Sequence, residues 1–536
     1  MRGASLLLVA GCALTSVGCG AGAASNAVPK VSLATNAELL PARTRRLTNH
    51  EVERSVADLT GLPISFADEL PPDVRQEGYT PNVNQDVSSA WASRYQALIA
   101  ELAARAVRAG QAFVGCRKLD AASCREQAVR ELGLRAFRRP LAAEETRALV
   151  GLLEESAANG DSFEVGLGLL VRALLEAPSF LYVSELGRVN AAGARTRLTD
   201  YEIASELAFT LRGTAPDAGL LQAAEQGRLT TPDERVQQAR RLLDMPDTRY
   251  QFRRFALEWL EVDGLLQTAK SSRLFPSYDA LKPFMLAETE SYVDEVMVNG
   301  GASVQALLAG GFASVGPEMA RFYGLHGYGA RASLGGTGRL GVLQQASFLA
   351  AHAHEDVTSP VKRGDFVLRK LLCEKIKRPA EIGLEVVMPP PSASLTNRQR
   401  LGQHIADPGC ASCHTTLDAI GFTFESFDAT GAAQTLDHGK PIDAHADAKL
   451  GQTATETLAL DSSESLTHAL LENPTVSECF ARHAFRYFSA QADPRVEASF
   501  LSLRAQLPAE QRDNLFNVLL AYIASDLFVL RTVQPG

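Results

Sequence analysis

The stretch Leu198-Thr199-Asp200-Tyr201-Glu202-Ile203-Ala204-Ser205-Glu206-Leu207-Ala208-Phe209-Thr210-Leu211 sets a threonine and a glutamate three residues apart, then apolar side chains at four-residue steps, Ile203, Leu207 and Leu211. A threonine placed this way accepts from the backbone N–H three residues on, and the glutamate reaches back to the threonine N–H, so the pair starts a helix. The four-residue steps then line one face with apolar groups for a core. Thr48 and Glu51 repeat the arrangement, followed by Val52, Val56 and Leu59 and stopped by Gly61. Helical spacing recurs near 90–108, 143–155, 163–175, 217–227, 232–244, 248–262, 278–297, 303–308, 361–372, 397–405, 463–472, 475–490, 494–506 and 509–526, and the apolar run 341–349 reads as helix too. Strand-like alternation is scarce, so the sequence predicts a mainly α, multi-module helical protein with long loops. Cys116 to Cys124 reads as a short polar loop, and 188–195 as a linker rich in small residues.

With 536 residues the chain has room for roughly three or four folding units, and 46% hydrophobic content is that of packed globular protein. A net charge of −9 argues against nucleic acid as a partner, because non-specific binding to phosphates needs a cationic surface. Beyond the N-terminus no apolar run is long enough to span a membrane. Residues 1–23 read as an export signal, with Arg2 ahead of an apolar core from Leu6 to Leu14 and a Gly- and Ala-rich end. Val9-Ala10-Gly11-Cys12 and Ser16-Val17-Gly18-Cys19 each resemble a lipidation site, so Cys19 or Cys12 is expected to carry a lipid anchor to the membrane; cleavage after Ala23 is the alternative. The expected location is the periplasm or cell surface. Helical modules are expected at 43–110, 111–187, 196–327, 338–435 and 455–532.

Cys410-Ala411-Ser412-Cys413-His414 is C-x-x-C-H, the attachment sequence of c-type haem. Two thiols on one helical turn can reach the two vinyl groups of one haem, and the adjacent imidazole then meets the iron. Composition alone gives roughly 0.002 occurrences of the pattern in a chain of this length. Cys410, Cys413 and His414 are therefore expected to hold haem c, the cysteines by attachment and His414 on the iron, while a Cys410–Cys413 disulfide or half of a zinc site also fits the pattern. No methionine follows His414, which leaves His438, His445 or Met388 as sixth-ligand candidates, or an open iron face. Of the other cysteines, Cys116 with Cys124 and Cys373 with Cys479 are expected disulfides in an oxidising compartment. Asp418, Glu425, Asp428 and Asp443 follow the motif and are read as turn caps or, alternatively, as a Ca²⁺ site. Glu288, Glu290, Asp294 and Glu295 read as a solvated acidic face, and Lys362 with Arg363 as a surface helix start or as partners of haem propionates.

These residues bring a family into view. The chain resembles the large exported proteins of planctomycetes and myxobacteria built from five consecutive modules of unknown function. Arg46-Leu47-Thr48 through Asp58-Leu59-Thr60-Gly61 echoes the first module, and Ala136-Phe137-Arg138-Arg139-Pro140-Leu141 the second. The third is echoed at Ala177-Pro178-Ser179-Phe180-Leu181-Tyr182 and at Leu198–Ala204, the fifth at Cys479-Phe480 and Phe485-Arg486-Tyr487. The fourth is similar over Gly341–Leu349, Thr358–Gly364, Cys410–His414, Asp418–Phe422 and Glu425–Asp428. The chain departs from the resemblance at Lys375–Pro379, where relatives carry a proline run, and at Arg212, where an aromatic is common. The expectation is an exported, membrane-anchored c-type haem protein in extracytoplasmic electron transfer or redox chemistry, with an unidentified redox partner and the character of a haem-dependent oxidoreductase. The alternative is an extracytoplasmic binding protein for a polysaccharide or surface partner, with C-x-x-C-H as a structural disulfide.

Overall fold

The structure, a computed structural model, describes residues 30–108, 121–188, 194–376, 381, 394–402, 408–451 and 454–533. The predicted export signal with Cys12 and Cys19, and also Cys116 and Met388, lie outside these residues. Among the described residues the chain forms 23 α-helices and ten strands of two to five residues, paired as five two-stranded antiparallel ribbons. The protein is mainly α.

Both capping boxes form. Thr199 Oγ1 accepts from Glu202 N at 3.3 Å, and Glu202 Oε2 accepts from Thr199 N at 2.8 Å, at the head of helix Asp200–Arg212. Thr48 and Glu51 do the same at 3.2 and 2.8 Å for helix Asn49–Thr60, which Gly61 ends in the left-handed region at φ 67°. Helix Ala122–Phe137 is absent from the sequence-based expectation. Its N-terminus lies on Ala121, which has no side-chain acceptor, and its end lies on Arg138 at φ 60° in place of a glycine. Arg138 is held there because its guanidinium donates to the carbonyls of Ala136, Ser179, Phe180 and Tyr182. The helix expected over 361–372 divides into Pro360–Phe366 and a π-helical turn, Val367–Leu371, that delivers Cys373 at φ 53°.

Three apolar cores hold these helices. The first runs from Leu39 and Leu40 to Phe528 and Val529 and includes Trp259, Phe348, Phe366 and Phe424. The second gathers residues between Leu47 and Val183, joined by Phe209. The third contains Tyr278, Met285, Met319, Tyr323 and Ala346. Segments distant in sequence thus share one interior.

The two ends of the described chain are joined. Strand Leu530–Thr532 pairs with Arg195–Arg197, while Ala42 N donates to Thr532 O at 2.8 Å and Thr532 N to Leu40 O at 2.9 Å. Strand Arg43–Arg46 pairs with Tyr182–Glu185. Glu185, wholly buried, accepts from Arg43 Nε at 2.9 Å and lies 2.6 Å from Arg531 Nη2. Burial alone would raise its pKa, but the two guanidinium groups outweigh burial and hold the carboxylate down near 2.

The disulfide expected between Cys373 and Cys479 is present and ties the π-helical turn to helix Pro474–Phe488. Cys124 is disulfide-bonded, and Cys116, its expected partner, lies outside the described residues.

Candidate functional site: the motif helix

Cys410, Cys413 and His414 lie on one helix, Pro408–Phe422. It crosses helix Pro360–Phe366 at very short range, which glycines on both sides permit. A Cβ at Gly364 would stand 2.0 Å from the Leu417 carbonyl oxygen, and one at Gly421 would stand 2.0 Å from that of Pro360. Neither position has room for a side chain.

The chain leaving the motif helix is pinned by Arg363. Its side chain is wholly buried and donates to the carbonyls of Leu349, Phe424, Phe427 and Asp428 at 3.0–3.3 Å, with Glu425 at 3.8 Å. The sequence-based reading of Arg363 as a surface or propionate-facing cation is therefore corrected: the guanidinium is a buried clamp on main-chain oxygens. Burial pushes it down to about 10, against the pull of Glu425 and Asp428. Glu425 in turn accepts from Thr358 Oγ1 at 2.8 Å and Asn397 Nδ2 at 3.2 Å.

His414 Nδ1 lies 3.0 Å from Asp418 Oδ1, one helical turn further on. Asp418 is fully buried, and its Oδ2 has no hydrogen-bond partner among the described residues. An ionised carboxylate only accepts, so in the tautomer that donates to Asp418 the proton is on Nδ1 and the lone pair on Nε2. Metal-bound histidines are oriented in this way, by a carboxylate on the ring nitrogen that does not meet the metal. The donor set on this helix therefore fits an iron ligand at His414. The side chains of Cys410 and Cys413 lie outside the description, and only their place on the helix is defined.

The other candidates fall as follows. His438 is on an exposed turn, 2.8 Å from Asp437 Oδ1. His445 is exposed, 2.9 Å from Asp461 Oδ1, and that hydrogen bond raises its pKa. It directly precedes strand Ala446–Ala448, which packs on the motif helix. Asp428 caps a turn, accepting from Thr430 N, Thr430 Oγ1 and Ala432 N, and Asp443 pairs with Arg398. His352 is a core histidine, stacked on Phe348 with Nδ1 3.0 Å from the Phe348 carbonyl.

Glu288 departs from the solvated acidic face expected on helix Tyr278–Asn299. Asp294 and Glu295 do meet Arg253 and Arg331 there, but Glu288 is 2% exposed and accepts from Tyr323 Oη at 2.6 Å. Burial drives its pKa up to about 7, against the opposing pull of Tyr323 and Arg339.

A cleft of about 740 Å³ opens elsewhere, where helices Asn49–Thr60, Ala122–Phe137, Asp200–Arg212 and Ala218–Glu225 meet. Arg135, Tyr201, Arg212, Gln222 and Glu225 line it. Arg212 is engaged there by Asp247 at 2.6 Å.

Sequence reasoning placed the three motif residues together but did not pair His414 with Asp418. Their four-residue separation on a helix was the available signal.

Fold and site together describe a helical, multi-module chain whose histidine-bearing helix is locked into the shared core. Family comparison agrees with that class. Residues 45–108 match the model of a protein of unknown function (DUF1587), 124–185 that of DUF1595, 198–325 that of DUF1592 and 339–437 that of DUF1588. All four are families of the planctomycete, cytochrome-c-like multi-domain type, and the last match contains the motif helix. No curated protein and no solved structure matches the chain.

Proposed function

We propose that the chain is an exported c-type haem protein serving extracytoplasmic electron transfer or redox chemistry, anchored through a lipid on Cys19 or Cys12. Cys410 and Cys413 would attach one haem, and His414 would hold the iron through Nε2. The haem, when bound, supplies a one-electron couple. The protein residues orient the ligand: Asp418 accepts the hydrogen bond from Nδ1 and fixes the ring, and Gly364, Gly421 and Arg363 fix the helix that carries both. The observation that carries this reading is the His414–Asp418 pair, with Asp418 buried and one of its oxygens unpartnered among the described residues.

The test is expression in a host that matures c-type cytochromes, with haem staining after denaturation and a visible spectrum, on wild type and His414→Ala. Covalent haem in the wild type and an altered spectrum in the variant are expected. A chain without covalent haem, with Cys410 oxidised to Cys413, would overturn the reading. Such a result would favour the second one, a binding protein for a surface polymer, whose supporting observation is the cleft lined by Tyr201, Arg135 and Glu225.

A further inference from the structure

Away from the motif helix, Cys373, Cys479 and His483 each offer one donor atom, and these atoms lie within 4.8 Å of one another. Among the described residues no other three His, Cys, Asp or Glu side chains converge in this way. Cys479 and His483 are one turn apart on helix Pro474–Phe488, and Cys373 comes from the end of the π-helical turn.

His483 is 3% exposed, with Nε2 3.3 Å from the Arg369 carbonyl and Nδ1 buried without a hydrogen-bond partner among the described residues. Buried polar atoms in a folded interior normally have partners, so an imidazole that carries an orphaned nitrogen and brings a ring nitrogen within 4.8 Å of two sulfurs is a candidate ligand. A ring that gives its one proton to a carbonyl offers a lone pair on the other nitrogen, as metal-bound histidines do. Lys370, Arg486 and Arg369 act on His483 as neighbouring cations.

We propose that reduction of the Cys373–Cys479 disulfide turns this group into a site for one Cu(I) ion, bound by two thiolates and the His483 imidazole. The reductant is a dithiol. It attacks the half-buried Cys373 sulfur, the S–S bond breaks, two electrons and two protons pass to the cysteines, and the reductant leaves as its own disulfide. Cu(I) then displaces the two thiol protons. Three donors, two of them soft sulfurs, suit Cu(I), whereas structural Zn²⁺ takes four ligands. The inference is independent of haem attachment.

The test uses the full chain carrying Cys410→Ser and Cys413→Ser, so that the motif thiols do not compete. The protein is reduced with a phosphine, desalted without oxygen and titrated with Cu(I) against a chromogenic chelator. It is compared with its oxidised form and with the reduced His483→Gln variant, and circular dichroism follows the fold throughout. The reduced chain is expected to hold one Cu(I) at least about 100-fold more tightly than the His483→Gln variant, with two sulfurs and one nitrogen in its X-ray absorption. Equal affinity in the variant, equal uptake by the oxidised chain, tighter binding of Zn²⁺ or unfolding on reduction would each overturn the proposal.

Discussion

Replacing Glu288 with glutamine should flatten the dependence of stability on pH. In the folded chain the carboxyl is buried, one oxygen accepts from Tyr323 and the other has no partner among the described residues. Burial raises its pKa from 4.5 to about 7. A raised folded pKa means that the stabilisation is complete below the unfolded value and is lost as pH rises through the folded one. Between about pH 4.5 and about pH 7 the folded state holds a proton that the unfolded chain has released. The lost stability is 1.36 kcal/mol for each pKa unit, or about 3 kcal/mol over the window. Glutamine has no proton to lose. Any cost of its unpartnered amide is the same at every pH and cancels from the slope. Urea unfolding of wild type and Glu288→Gln below, within and above the window should therefore show the wild type losing about 3 kcal/mol relative to the variant. Parallel curves for the two proteins would refute the reasoning, since they would mean that Glu288 titrates alike folded and unfolded.

Gly364→Ala and Gly421→Ala each drive a methyl group into backbone carbonyl at the crossing of the motif helix, and each should cost at least about 1–3 kcal/mol, read as a lowered melting temperature. Cys373→Ser with Cys479→Ser opens a link across 106 residues of sequence; about 4–5 kcal/mol is the loss expected from chain entropy, measured by denaturation without reductant. Arg531→Met leaves Glu185 buried with Arg43 as its remaining ion-pair partner, and about 3–5 kcal/mol should be lost in denaturant melts. In haem-loaded protein, Asp418→Asn removes the negative partner of His414, so the iron's reduction potential should rise in a spectroelectrochemical titration; an unchanged potential counts against that pairing.

Local chemistry was legible in the sequence, and long-range chemistry was not. The capping boxes at Thr48 and Thr199 need only residues three apart, and both form as expected. Helix Ala122–Phe137 has no such side-chain cap, and the Arg138 conformation that ends it depends on carbonyls more than forty residues away. Arg363 looked like a surface cation because its partners, Leu349 and Phe424 to Asp428, reach it only through the fold. Glu288 shares a helix with Asp294 and Glu295, and only the packing of Tyr323 against it sets it apart. The Cys373–Cys479 bond followed from assigning the other cysteines first. The His414–Asp418 pair was available from spacing alone, whereas the burial that gives the pair its meaning was not.

The joining of Leu40 and Ala42 to Thr532 also governs the order in which the molecule can be completed. Arg43 emerges in synthesis long before Arg531, which shares Glu185 with it. The first core likewise awaits Phe528 and Val529. A growing or threading chain can build its helices but cannot close this seam until Leu530 to Thr532 arrive. Truncations that remove Leu530 to Thr532 should therefore leave a long-lived, protease-sensitive product in place of a slightly shorter native one.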